Sequence, residues 1–92
     1  MEESGESGKA FMEMTMKHAK ASALDPKTDE LAYIAVLAAL RLTSGIPFHV
    51  KAAKEAGATR DEVKSAILVG LPLVGTAVTE AFAVAIQSYD EE

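Results

Sequence analysis

The sequence predicts an all-α fold, and three observations carry that expectation. Apolar residues recur at spacings of three and four, no segment sustains two-residue alternation with turn chemistry, and helix-start residues stand ahead of the apolar runs. About five helices fit the pattern, in a single domain over residues 9–92 behind an acidic tail at 1–8.

The tail is Glu, Ser and Gly, a composition that gains little by ordering. From Lys9 to Ala23, Phe11, Met14, His18 and Ala21 mark one face of an amphipathic helix, with Met12 and Met16 flanking as adaptable packing residues. His18 on that face reads as a packed or interface histidine. In LDPKTDE, Asp25 is placed to cap, Pro26 suits the first helical position, and Asp29 and Glu30 lie where the helix dipole favours acids. This second helix should run to about Thr43. Ser44 and Gly45 then break the chain, with Ser44 available as an N-cap, and Pro47 opens a short third helix that Gly57 ends. Thr59 and Glu62 form a T-x-x-E capping box ahead of Val63, Ala66, Ile67 and Leu68. The GLPLVG segment from Gly70 to Gly75 should kink that helix and pack closely on a neighbour, because Pro72 lacks a donor and clashes with the preceding turn. A last helix is expected over about Thr76–Tyr89.

Composition narrows the chemistry. The chain is 49% hydrophobic over 92 residues, too apolar for disorder. Its longest uncharged stretch, Ser65–Thr79, contains Pro72 and two glycines and is shorter than a membrane span needs. The acidic start does not resemble a secretory signal, so a cytoplasmic protein with no membrane partner is expected. Six of the 14 acidic residues sit at the two ends, which leaves a nearly neutral body without the basic stripe nucleic acid requires. With no cysteine, the chain has no thiolate nucleophile, disulfide exchange or cysteine zinc site, and two histidines make a metal site within one chain a poor expectation. No cofactor is expected.

Two predicted helices, around 31–42 and 66–86, are apolar on nearly every face. Such helices must be buried all round, and a domain this small has too little interior for both. A homo-oligomer is therefore expected. Alanines at 32, 35, 38, 39, 77, 81, 83 and 85 would let helices of different subunits approach closely.

The candidate catalytic residues are Glu30 and His49, ionisable groups bordering apolar sequence. A carboxylate on one imidazole nitrogen fixes the tautomer and frees the other nitrogen as acid or base. Equally, Glu30 is suited to a surface position complementing the dipole, and His49 to a helix position with a satisfied hydrogen bond. Thr43 and Ser44 offer hydroxyls to a substrate, and Arg41 offers a bidentate donor to a substrate carboxylate, a salt bridge, or charge at a helix end.

The segments LDPKTDELAYIAVLAAL, HVKAAKEAGATRDEVKSAILVGLPLVG and AFAVA resemble the carboxymuconolactone decarboxylase family, which includes the AhpD-like alkylhydroperoxidases. The resemblance covers roughly Leu24 to Ala85 and is most specific at H-x-K-A-A-x-E-A-G-A-T-R-x-E. It implies an all-helical, AhpD-like subunit assembling into trimers or hexamers, with sites near subunit contacts. The peroxidase branch carries a glutamate, two cysteines and a histidine, a register that falls here on Glu30, Leu42, Gly45 and His49. The acid and imidazole are present and both cysteines are absent, so peroxide reduction should be lost. The decarboxylase branch needs proton transfer without sulfur, but Val69 stands where it carries a second histidine, and LTSGIPF replaces its arginine and acids ahead of His49. The leading expectation is a cofactor-free lyase or isomerase acting on a small organic acid or lactone through His49 and Glu30. A non-catalytic oligomer with a decayed site is the alternative, and a hydroperoxidase the second.

Overall fold

The computed structural model describes residues 2–91, which form an all-α fold of α1 (Gly5–Ala21), α2 (Pro26–Leu40), α3 (Ile46–Glu55), α4 (Arg60–Leu68), α5 (Leu71–Val74) and α6 (Phe82–Asp90). Of three 3-10 segments, Glu2–Ser4 leads into α1, Thr43–Gly45 joins α2 to α3, and Gly75–Ala81 joins α5 to α6. Helix starts follow the local chemistry. Asp25 accepts from the Thr28 backbone N–H at 2.9 Å with Pro26 in the first turn of α2. Thr59 and Glu62 close the capping box of α4 in both directions, at 3.0 and 2.8 Å.

Helix ends depart from the sequence expectation in four places. α1 begins at Gly5 rather than Lys9, with Glu6 in the first turn. α2 stops at Leu40 rather than near Thr43, because Arg41 turns left-handed at φ 58°. The Arg41 N–H then bonds to Ala38 O and the Leu42 N–H to Leu37 O, a Schellman closure that satisfies the last carbonyls. Gly57, at φ 100°, ends α3 in the same way, and there glycine carries no steric cost. Ser44 is not the cap of α3: Gly45 holds that place and no side chain bonds across it. The last α-helix starts at Phe82 rather than Thr76. Gly75 at φ 78° redirects the chain, and the Thr79 hydroxyl donates to Thr76 O at 2.6 Å inside the tighter 3-10 turn.

The core lies around α2. Ile34 and Ala38 meet Ile46, Val50 and Ala53 of α3, Val63 and Ile67 of α4, and Val78, Ala81 and Ala85 beyond the kink, all essentially inaccessible to solvent. Burying each Ile or Val side chain contributes roughly 1.5–3 kcal/mol. Gly70 is buried at the kink, where an added Cβ would sit 3.4 Å from both Ala39 Cβ and Val78 Cγ1, so the close packing expected of GLPLVG is present. By length and composition, Arg60–Asp90 is apolar enough to cross a membrane. Its path is nevertheless broken at Gly70 and Gly75, and it folds back to place Val63, Ile67, Val78, Ala81 and Ala85 in this core.

Polar ties cross-link the helices outside the core. Lys27 of α2 donates to Glu62 of α4 at 3.0 Å, and Arg60 meets Asp90 at 3.1 Å. The Tyr89 hydroxyl donates to Ala58 O at 2.8 Å, while Lys54 donates to Tyr89 O at 2.6 Å.

α1 stands nearly clear of this body. The Cα radius of gyration is 13.7 Å, above the roughly 12 Å of a compact chain of this length. In the subunit the side chains of this helix are open to solvent: Phe11 and Met14 are each 53% exposed and Met16 60%, and His18 is also exposed. The apolar face predicted for this helix exists, but no element among the described residues covers it.

Candidate functional site

The site is assembled by the antiparallel docking of α3 on α2. Gly45, just before α3, lies against Leu37, where an added Cβ would be 3.1 Å from Leu37 Cδ2. One turn further along α3, His49 falls beside Glu30 and Tyr33, which sit one turn apart on the facing side of α2.

His49 Nδ1 and Glu30 Oε1 are 2.6 Å apart. A carboxylate only accepts, so with Glu30 ionised the Nδ1–H donates and Nε2 is left free to accept or deliver a proton. The short separation is that of a charge-assisted bond. Their side chains are 24% and 21% exposed, held in place yet reachable. Two aromatic rings restrain the imidazole: Tyr33 lies at a centroid distance of 4.9 Å, tilted, and Phe48 at 5.1 Å, edge-on. Tyr33 was not singled out by sequence reasoning. Its signal was the three-residue spacing from Glu30 on one helix face, which places it over whatever Glu30 touches.

The other expected site residues are placed differently. Thr43 and Ser44 lie exposed in the 3-10 turn ahead of α3 and make no hydrogen bond to the pair. Arg41 is exposed at the left-handed end of α2, its Nη1 3.9 Å from Glu80 Oε2, a loose surface pair. The structure thus joins Glu30 to His49 and leaves Arg41, Thr43 and Ser44 outside that contact. Among the described residues, no group of three or more His, Asp or Glu is arranged to hold a metal ion.

An open groove of about 690 Å³ runs between α2 and α4, lined by Leu31, Ala32, Ala35, Val36, Ala66 and Val69 with Thr28, Asp61, Glu62 and Ser65 at its polar edge. At 100° per residue these α2 positions face away from Glu30 and Tyr33. The groove and the dyad therefore occupy opposite sides of one helix.

The carboxymuconolactone decarboxylase family model matches residues 5–87, nearly the whole chain. The chain belongs to the carboxymuconolactone decarboxylase family. No curated protein and no solved structure matches it. The chain contains no cysteine, so no thiol lies in the turn between Glu30 and His49. The decarboxylase-family scaffold keeps the carboxylate and imidazole in hydrogen-bond contact all the same.

Proposed function

We propose that this family member is an acid–base enzyme in which His49 moves a proton at Nε2 while Glu30 holds Nδ1 and balances the imidazolium that forms. The reading rests on the 2.6 Å Glu30–His49 contact. The contact fixes the imidazole's orientation in a mostly buried setting, with the rings of Tyr33 and Phe48 beside it. The substrate is a small organic acid or lactone, undergoing lyase or isomerase chemistry that needs proton transfer and no thiol. Thr43, Ser44 and Arg41, in the turn between the helices bearing the pair, are the proposed substrate contacts. The working form is a homo-oligomer, a trimer or hexamer, in the cytoplasm. Exposed Leu40, Leu42, Phe48, Val69 and Leu73 support assembly, Phe48 at 70% and Leu73 at 85% exposure being costly on a lone subunit.

The test is turnover of a panel of small lactones and carboxylic acids followed by proton NMR in deuterated water, for the wild type, His49→Ala and Glu30→Gln. Removing the imidazole should lower turnover about 10²–10⁴-fold. Equal turnover in wild type and His49→Ala overturns the assignment. A second reading, a non-catalytic oligomer with a decayed site, is favoured by one observation: neither the α2–α4 groove nor the shallow cleft on α1 is lined by Glu30 or His49. Under that reading no member of the panel is turned over.

A further inference from the structure

An amphipathic helix whose apolar face is covered by no described residue and an open apolar groove occur on the same chain. On α1, Phe11, Met14 and His18 form one face, and Phe11 and Met14 are each 53% exposed. A short, locally bonded linker leads from this helix to α2. Ser22 and Asp25 are both extended, the Leu24 N–H donates to Ser22 Oγ at 3.1 Å, and Asp25 is committed to capping α2. The groove between α2 and α4 leaves Val36 55% and Val69 64% exposed, and the alanines along it leave room for a helix to approach closely.

Size and charge match. The Phe11–His18 stretch is about 10 Å long and the groove wall from Thr28 to Val36 about 12 Å, at 1.5 Å rise per residue. Asp61 stands at the groove edge and forms no salt bridge among the described residues. Lys17, which borders the apolar face of α1, is likewise unpaired there, as is Lys20 one turn on from Met16.

We propose that α1 of one copy of the chain lies in the α2–α4 groove of a second copy, with Phe11 and Met14 against Ala35 and Val36 and Lys17 toward Asp61. The inference rests on the homo-oligomer reading and specifies which surfaces make it. It also leaves the opposite side of α2, with Glu30 and His49, uncovered by this contact.

The cysteine-free sequence makes the test direct, because any disulfide comes from installed residues. Met14→Cys and Ala35→Cys full-length chains, carrying different tags, are co-expressed and oxidised. A disulfide joining one variant to the other, at twice the subunit mass, is expected. A disulfide within a single chain carrying both substitutions, seen at subunit mass in high dilution, overturns the proposal in favour of fold-back. Unlinked chains inside an intact oligomer overturn it while the oligomer reading stands. A wild-type mass of one subunit by light scattering removes both. In a second measurement, Phe11→Asp with Met14→Asp should weaken self-association by at least about tenfold with helicity unchanged, since both side chains are exposed in the subunit. Unchanged association overturns the proposal.

Discussion

His49 Nδ1 and Glu30 Oε1 lie 2.6 Å apart although 19 residues separate them in the chain. The contact is a product of helix geometry. α3 doubles back along α2 from the 3-10 turn at Thr43–Gly45, so Gly45 lies over Leu37 and the next turn of α3 lies over Tyr33 and Glu30. A side chain within this pairing acts through position more than through its own sequence neighbours.

The tautomer follows from that contact. In neutral imidazole the Nδ1–H form should dominate, because only that form donates to the carboxylate. Long-range nitrogen–proton NMR on His49 reads this directly. Glu30→Ala should return the ring toward a mixture of tautomers, and a dominant Nε2–H form in the wild type would refute the proposed division of roles between the nitrogens.

Packing supplies a second prediction. Ile67 is fully buried on α4 among the side chains of α2, α3 and the segment beyond the kink. Ile67→Ala should destabilise the subunit by about 2–5 kcal/mol, the deleted methylenes and the residual cavity adding together. Urea unfolding checks it. Met14→Ala is the matched control: in the subunit that side chain is exposed, so its removal should shift the unfolding of an isolated subunit by less than about 0.5 kcal/mol.

Much of this was legible in the residues, because the signals were local. Asp25–Pro26 and Thr59–Glu62 specify their own helix starts through bonds spanning three residues. Glu30 and His49 were readable as a pair through the register of the family resemblance. What was not legible depends on non-local or stereochemical outcomes. The left-handed turn at Arg41 has no glycine to announce it, so α2 ends earlier than its apolar run. The 3-10 path through Gly75–Ala81 follows from the turn at Gly75 and from docking Val78 and Ala81 into the core, neither of which the helix-compatible spacing of TAVTEAFAVA reveals. For α1 the amphipathic pattern indicated an apolar face, which is exposed in the subunit, and pattern alone is silent on what meets it.

The Glu62 carboxylate sets an acid limit on part of the fold. Its backbone bond to Thr59, followed by the Lys27 ammonium, holds its pKa below the ordinary 4.5. A carboxyl with a depressed folded pKa stabilises above its unfolded value, and that contribution is lost as pH falls through the folded value. Stability should therefore decline below about pH 4.5 with a component absent from Glu62→Gln, measured as the difference in urea midpoint between pH 6 and pH 3. Thr59→Ala, which removes the other half of the capping box, should cost about 1 kcal/mol at neutral pH.

Arg41 is strained as well as charged. A non-glycine residue at φ 58° costs roughly 1 kcal/mol, and its 3.9 Å surface pair with Glu80 returns little of that. Arg41→Gly should leave stability unchanged or raise it by up to about 1 kcal/mol, by thermal unfolding. If the guanidinium binds a substrate carboxylate, the same variant raises KM. Raised KM without loss of stability would separate the binding role from the capping one.

The turn that carries Leu42 and Gly45 allows the proposed proton-relay role of the dyad to be tested with a chemistry the chain lacks. The Gly45 N–H donates to Leu42 O at 3.2 Å, so the two positions face each other across one 3-10 turn, one turn ahead of His49. A side chain at Gly45 is accessible in backbone terms, φ being −85°, and would displace Leu37 Cδ2 by a few tenths of an ångström from its 3.1 Å approach. Leu42→Cys with Gly45→Cys should therefore give a dithiol able to reduce an alkyl hydroperoxide: one thiolate attacks the peroxide oxygen and releases the alcohol, and the second thiol closes a disulfide with loss of water. Dithiothreitol would restore the thiols for further turnover. With His49 and Glu30 intact, peroxide consumption should exceed that of the same cysteine pair in a His49→Ala background by tenfold or more, about the lower range of general-base assistance. Equal rates in the two backgrounds, with the disulfide forming in both, would show that the imidazole at this position moves no proton for a dithiol in that turn.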